Sequence, residues 1–232
     1  MTGPCLTVIV PAWNATPELA TMTVETLAQV RRVASVPTQL RVIDNGSAYW
    51  QALPSALADR VTRWPENRGI AAAWNHGAYR ADPGSVLCWL NSDCTVQPGW
   101  DTALVAATEG FSIAFPYTDH GDGQGYQRPD TGGVAGWCFA ASLDTFRRVG
   151  RFDETFSPAF WEDTDWFHRA WEAGAALRVV PAAHVHHVRR QSAQHLPRLG
   201  WLFNANRLRY HWQHDVPLEA PPPFYGTPTD WR

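Results

Sequence analysis

Short apolar runs that end in polar clusters alternate with stretches of helical period through the first half of the chain. Leu6–Val10 is an unbroken apolar run of strand length. Thr16-Pro17-Glu18 then combines a capping hydroxyl, a proline at the first helical position and an early acid. This predicts a helix through Leu27 to about Val33. Leu40–Ile43 reads as the next strand, followed by a weak helix near Gln51–Asp59 and a short strand around Val61–Trp64. Asn67-Arg68-Gly69 opens a predicted helix over Ile70–Arg80, which Asp82-Pro83-Gly84 terminates. Val86–Leu90 is the central strand. Strands separated by helices imply right-handed βαβ units, an α/β fold and a mostly parallel sheet.

The second half changes character. Residues 117–133 are polar and glycine-rich and read as a long surface loop, a kind that is usually functional or mobile. A strand near Trp137–Ala140 and a helix over Leu143–Val149 follow. Phe160-Trp161-Glu162-Asp163-Thr164-Asp165 opens another helix, whose apolar positions Trp166, Phe167, Ala170 and Trp171 fall on one face. Leu177–Val180 is a last strand, expected to end at Pro181 before a histidine cluster. Residues 194–214 are helical and aromatic, and the chain ends rich in proline. The pattern divides into a single domain over 1–192 and a helical, aromatic extension over 193–232, packed on that domain or on a partner.

Composition narrows the chemistry. The chain of 232 residues has 45% hydrophobic and 18% charged residues, which is globular. A net charge of −3 gives no overall pull toward nucleic acid or anionic lipid. All 19 basic residues are arginine, so lysine Schiff-base and P-loop chemistry are excluded. Four cysteines form no Cys-x-x-Cys pair, and Cys5 and Cys88 lie in apolar surroundings. The N-terminal apolar run is too short for a secretory signal, and no stretch approaches a membrane span. The expectation is a soluble cytoplasmic protein.

Candidate chemistry sits at the strand ends. Leu6–Val10 runs into Pro11-Ala12-Trp13-Asn14, Leu40–Ile43 into Asp44-Asn45-Gly46-Ser47, and Val86–Leu90 into Asn91-Ser92-Asp93. Ligands of open parallel sheets bind beyond the carboxyl ends of the strands, so three converging polar ends predict a site, with Asp93 a candidate metal ligand. Asp-Asn-Gly is also a strong turn sequence on its own, a reading of Asp44 that stays open. Gly69 and Asn75 bracket a helix start that offers N–H groups and the Arg68 guanidinium to phosphate; the same residues also serve simple helix packing. Three acids within Glu162–Asp165 exceed what a helix cap requires. A carboxylate in a first turn is favoured in its charged form by the helix dipole. On a strand His184 and His186 point one way and His187 the other, which argues against a three-histidine zinc site.

Taken in order, these segments resemble the inverting, nucleotide-sugar-dependent glycosyltransferases of family 2, which have the GT-A fold. The resemblance rests on Thr7–Asn14, Val42–Ser47, Asn67-Arg68-Gly69 with Asn75-His76-Gly77, and Leu90–Asp93. Further along it rests on Gly150-Arg151-Phe152-Asp153-Glu154, Glu162–Asp165 with Arg169 and Gly174, and Val180-Pro181 before Val185-His186-His187. It covers roughly residues 5–190. It implies a Rossmann-like mixed sheet flanked by helices and transfer of a sugar from a nucleoside diphosphate, UDP or dTDP, to an acceptor hydroxyl.

By that resemblance Pro11, Ala12, Trp13, Asn14, Asp44, Asn45, Arg68, Gly69, Asn75, Asn91, Ser92 and Asp93 form the donor site. Asp93 and His187 hold a divalent Mn²⁺ or Mg²⁺, and Asp163 is the general base, with Glu162 second. Trp161 and Asp165 are expected at the acceptor, which is a glycan, a lipid-linked sugar, a protein or a nucleobase. Trp201, Leu202, Phe203, Arg207, Arg209, Tyr210 and Trp212 make a peripheral membrane contact a further expectation. Where many members carry Asp-x-Asp this chain has Asn91, which motivates the alternative of a catalytically inactive nucleotide- or glycan-binding homologue. A sugar nucleotidylyltransferase needs a glycine-rich basic loop after the first strand, and Pro11–Asn14 has neither feature.

Overall fold

The computed structural model describes residues 6–50, 57–117, 134–188 and 191–224. The sequence-predicted loop over 117–133 and most of the weak helix near Gln51–Asp59 lie outside them. β1 (Leu6–Ala12), α1 (Pro17–Val33), β2 (Thr38–Asn45), β3 (Arg60–Trp64), α2 (Ile70–Ala78) and β4 (Val86–Leu90) follow the pattern read from sequence. β5 (Cys94–Val96), α3 (Trp100–Ala107), β6 (Ser112–Tyr117), β7 (Cys138–Ser142), α4 (Leu143–Val149), α5 (Glu162–Glu172), β8 (Ala176–His187) and α6 (Leu199–Gln213) complete the fold. One sheet runs in the order β3-β2-β1-β4-β7-β6-β8-β5. β3, β2, β1 and β4 are mutually parallel, whereas β7 is antiparallel to both β4 and β6. The sheet is therefore mixed, and its parallel half is the one the βα alternation specifies.

Alternation along β1 shows how the sheet builds two cores. Leu6, Val8, Val10 and Ala12 face a layer with Leu27 and Val30 of α1 and Trp100 and Leu104 of α3. Ile9 faces the opposite layer, which holds Trp74, Trp89, Phe139, Phe146, Phe152 and Trp166. Six aromatic rings meet there, with Trp89 stacked on Phe139 at 4.8 Å and Phe152 against Trp166 at 4.9 Å. Most of the chain's tryptophan mass near the site is thus core. Gly77 is required at its place on α2, because a Cβ would sit 2.4 Å from Ile9 Cγ2.

Three features differ from the sequence pattern. β8 runs on through Pro181 to His187 instead of stopping there. The ladder jumps from Pro116↔Val180 to Tyr117↔His184, so Pro181 falls in a bulge where its missing N–H is not needed. β5, α3 and β6 have no counterpart in the pattern: α3 begins at Gly99, which has φ 84° and no capping side chain, and β6 carries Pro116. Trp171 lies 43% exposed although Trp166, Phe167 and Ala170 are buried. It stands at the margin of the apolar arc of α5.

Candidate active site

The turn after β2 is held by its own polar groups. Asp44, fully buried, accepts the Ser47 N–H at 2.9 Å and the Arg63 Nε–H at 2.7 Å. Ser47 Oγ accepts the Asn14 N–H, and the Asn14 side chain accepts from Thr23, which ties the loop after β1 to this turn. Asn45 accepts the Arg68 N–H through Oδ1 and donates to Asn67 through Nδ2. Gly46, at φ 76°, packs so closely that a Cβ would lie 2.4 Å from the Glu66 carbonyl carbon. Asp44 is thus a turn residue, with both oxygens engaged by protein groups.

Three residues expected at the donor have other partners. Asn75 is buried, accepts the Phe152 N–H at 2.9 Å and donates to the Phe152 carbonyl at 3.0 Å and to Glu154 at 2.9 Å. Its whole amide pins α2 to the segment before α5. The helix start at Gly69 is likewise closed to phosphate: Gly69 N–H donates to Asn67 Oδ1 and Ile70 N–H to the Pro158 carbonyl. The Arg68 guanidinium lies over the Trp64 ring at 4.8 Å rather than reaching toward a ligand. Asn75 and the Ile70 N–H are taken by partners distant in sequence, whereas Gly69 and Arg68 are engaged by near neighbours, Asn67 and Trp64.

At the end of β4 the situation reverses. Thr26 donates to both the Ser92 and Cys94 carbonyls and fixes the turn. Val188 N–H donates to the Asp93 carbonyl, bringing β8 alongside. Asp93 Oδ1 then stands 3.1 Å from His187 Nε2. Cis ligands on a six-coordinate ion with bonds near 2.1 Å are about 3 Å apart, so this carboxylate and imidazole fit a small divalent cation. Cys94 lies within 4.8 Å of both but is the wrong donor. Burial, with Asp93 and Cys88 beside it, pushes its thiol well above the usual range, and it donates to the Trp137 carbonyl. Trp137 stacks on His187 with ring centroids 5.4 Å apart. A cleft of about 440 Å³ opens beside Asp93, bordered by Thr26, Gln29, Arg32 and Val188.

The acidic helix start lies against β7's entry. Asp163 Oδ2 accepts the Gly136 N–H at 2.9 Å, and Oδ1 accepts the Thr164 N–H at 2.7 Å. Gly136 is obligatory, since a Cβ there would fall 2.4 Å from Asp163 Oδ2. Nothing in the sequence pattern marks this glycine. The dipole argument for Asp163 is corrected: desolvation outweighs the hydrogen bonds, and its carboxyl rises above the ordinary aspartate value. Burial and the neighbouring Asp163 push the Glu162 carboxyl well above its ordinary value, which favours its neutral form. Asp165 has both oxygens engaged, Oδ2 with Arg169 at 2.7 Å and Oδ1 with His214 at 2.9 Å, which makes it a strut and not an acceptor contact.

Phe160 and Trp161 precede α5 in left-handed backbone, at φ 77° and 73°. Such conformations cost about 1–2 kcal/mol each for residues with a Cβ. Asn206 of α6 holds the turn by donating to the Ala159 and Phe160 carbonyls at 2.9 and 3.1 Å. The Trp161 ring packs on Tyr210, Phe203 and His211 at 5.1–5.7 Å, so it joins α5 to α6 instead of standing open to a sugar.

Among the described residues, Asn91 Oδ1, Trp161 Nε1, Glu162 Oε2 and His187 Nδ1 are buried side-chain atoms without a partner, as are Thr7 Oγ1, Trp74 Nε1, Ser85 Oγ, Trp89 Nε1 and Trp100 Nε1 elsewhere in the fold. Buried polar groups ordinarily find partners, so Asn91 and His187, on either side of Asp93, keep hydrogen-bonding capacity for a ligand.

The comparisons agree with this geometry. Residues 7–169 match the family described as Glycosyl transferase family 2. The curated relative "Probable N-acetylgalactosaminyltransferase 9" of Caenorhabditis elegans is 26% identical over 169 residues, which is 56% of this chain but only 29% of the relative. A crystal structure of GalNAc-T7 with UDP, GalNAc and Mn²⁺ superposes with a TM-score of 0.69 at 20% identity, covering 90% of this chain and 47% of that one. The mannosyltransferase PcManGT of Pyrobaculum calidifontis, solved with GDP-Man and Mn²⁺, gives 0.65 at 19% identity, covering 95% and 66%. The matched stretch takes in both strand-end turns, the Asn91–Asp93 segment and the acidic helix start, and the chain belongs to glycosyl transferase family 2.

Proposed function

We propose that this chain transfers a sugar from a nucleoside-diphosphate donor, UDP- or dTDP-linked, to an acceptor hydroxyl with inversion at the anomeric carbon. The observation that carries this reading is the Asp93–His187 pair at the end of β4, with Oδ1 3.1 Å from Nε2 and the unpartnered Asn91 Oδ1 nearby in the chain. Asp93 and His187 would hold a divalent cation, Mn²⁺ or Mg²⁺, which neutralises charge on the departing pyrophosphate. Pro11–Asn14 and the Asp44–Ser47 turn flank the nucleoside, with Asp44 holding the wall in shape. Asn91 Oδ1 is free to accept from the donor.

Asp163 takes the proton. As the acceptor oxygen bonds to the anomeric carbon, the bond from that carbon to the phosphate oxygen breaks and its electron pair leaves with the nucleoside diphosphate. The hydroxyl proton passes to a carboxylate oxygen of Asp163; Oδ2 accepts one N–H and keeps a second lone pair. A raised proton affinity suits this role, because a base held near its charged extreme is a weak one.

One acceptor class is supported by α6. Trp201, Leu208 and Trp212 are 65%, 55% and 84% exposed and share one face of that helix, opposite the buried Asn206 and Tyr210. Arg198 and Arg209 flank this stripe, and α6 contains no acid. An aromatic stripe edged by arginines suits the interface of an anionic bilayer, and a second copy of α6 would set arginine against arginine. A lipid-linked acceptor at a membrane surface is consistent with it. Among the described residues no helix is long and apolar enough to cross a membrane.

The second reading is a nucleotide- or glycan-binding homologue without turnover, favoured by Asn91 in place of a carboxylate. Calorimetric titration of UDP, dTDP and GDP, with and without Mn²⁺, into wild type and Asp93→Ala separates the two when paired with a donor-consumption assay. Metal-dependent binding of one nucleotide, lost in the variant and accompanied by consumption of its sugar conjugate, is expected. Binding without consumption selects the homologue. No binding by any nucleotide ends the transferase reading.

A further inference from the structure

The helix that carries Asp163 is held from outside the stretch that matches the family. That match ends at residue 169, whereas α6 begins at Leu199. α5 starts without a side-chain cap. Its N-cap residue is Trp161, and its first helical bond runs from the Asp165 N–H to the Trp161 carbonyl at 2.9 Å. Glu162 and Asp163 are the first two residues of that turn. An uncapped first turn depends on the backbone ahead of it, which here is the left-handed pair Phe160 and Trp161. Residues with a Cβ do not keep that conformation unaided.

Asn206 supplies the aid from α6. It is 5% exposed, and its Nδ2 lies 3.2, 2.9 and 3.1 Å from the Phe156, Ala159 and Phe160 carbonyls. One amide group thus collects three carbonyls along the approach to the helix. Helical i,i+4 spacing puts Asn206 and Tyr210 on one face. The buried Tyr210 hydroxyl lies 2.8 Å from His168 Nδ1, and His214 Nε2 lies 2.9 Å from Asp165 Oδ1. The far end of α6 is therefore fastened to the body of α5, and Asn206 reaches back from it to the turn.

We infer that Asn206 is a positioning residue for Asp163, an inference that rests on Asp163 being the base. Asn206 touches no reacting atom. It holds Phe160 and Trp161 left-handed, which keeps the Trp161 carbonyl under the Asp165 N–H and the first turn of α5 closed. The Asp163 carboxylate then stays against the Gly136 N–H. A base displaced by about 1 Å loses roughly 10²-fold in rate, while the strand-end residues around Asp93 keep their places.

The test uses the full chain. In Asn206→Ala, kcat should fall about 10–100-fold while nucleotide affinity, titrated with Mn²⁺, stays within about twofold. Asn206→Ser, which keeps one donor, should lie between and carries the same comparisons if the alanine variant does not fold. Glycine adopts left-handed backbone without strain, so adding Phe160→Gly to either variant should recover part of the lost kcat. Hydrogen exchange of the Gly136 amide reads the placement of Asp163 without substrate. Relative to amides of β1, it should quicken about tenfold or more in Asn206→Ala. Unchanged Gly136 exchange, or a fall in kcat matched by lost nucleotide binding, overturns the inference. A wild type that binds nucleotide but consumes no donor ends the reading of Asp163 as base, and Gly136 exchange then still decides whether Asn206 places that carboxylate.

Discussion

The polar residues at the parallel end of the sheet and those at the antiparallel end look alike in sequence and behave oppositely in the fold. Asn14, Asp44, Asn45, Asn67 and Asn75 each bond to protein groups from other segments. Asn91, Glu162 and His187 each keep a buried polar atom without a partner. The first set ties the loops and helix starts together, and the second keeps hydrogen-bonding capacity. Polarity at a strand end therefore says where a site is, whereas the state of its hydrogen bonds separates the frame from the groups left for a ligand. The frame should fail by unfolding, and the second set should fail by losing activity while the protein stays folded.

The largest effect expected is at Asp163, beside the unpartnered Glu162. Asp163→Asn removes the base and keeps only one of the two acceptors, since its amide nitrogen replaces the oxygen that accepts from either Thr164 or Gly136. Turnover should fall by about 10²–10⁴ while nucleotide affinity changes less than twofold. In wild type, turnover should fall toward acid with an apparent pKa above the ordinary aspartate value of 3.8, because Asp163 must be ionised to act. A stopped assay from pH 4 to 9 reads this limb; an acid limb unchanged in the residual activity of Asp163→Asn assigns it to another group.

Asn75 tests the frame from the other side. Asn75→Ala strands the Phe152 N–H and carbonyl in a buried place, a loss of roughly 2–4 kcal/mol. Urea unfolding should show that loss with unchanged slope, while protein that remains folded binds nucleotide as before. A variant of wild-type stability with weakened nucleotide binding would return Asn75 to the donor site. Asn91→Asp sits on the boundary between the sets. A second carboxylate near Asp93 should tighten Mn²⁺ about tenfold and lower stability without metal, since like charges are then buried together. Isothermal titration with Mn²⁺ and melting with and without it report both; unchanged Mn²⁺ affinity removes Asn91 from the cation's surroundings.

The same contrast explains what was legible in the sequence. The capping signals at Thr16-Pro17-Glu18 and the period of Leu143–Val149 are local, and α1 and α4 occupy the residues those signals mark. The strand-end rule likewise found Asp93 beside a crevice without any knowledge of β8. Asn75, Trp161 and Asp165 were assigned by neighbours in sequence, but they have partners elsewhere: Phe152 for Asn75, Tyr210 for Trp161 and His214 for Asp165. Gly136 escapes any local signal because its only constraint is the approach of Asp163. The β5–β6 stretch is obscured by Gly99 and Pro116, whose conformations are tolerated only in the finished sheet. Periodicity and turn chemistry encode elements and edges, and long-range pairing decides each side chain's task.

Glu162 gives the smallest effect and the sharpest separation of stability from activity. Its carboxyl is protonated in the folded protein well above pH 4.5, where an unfolded chain has already released the proton. The native state then binds more protons than the unfolded one, so stability falls as pH rises from that value toward the raised folded value. Glu162→Gln preserves shape and removes the titration. Its melting temperature should match wild type near pH 4 and exceed it by a few degrees at neutral pH, with the gap opening between. The same variant should keep activity, since its amide N–H donates from the position that the neutral carboxyl O–H occupies at Oε2. Stability that tracks wild type at every pH would mean that Glu162 is ionised in the folded protein, and the crevice would then hold two carboxylates competing for one proton beside Asp163.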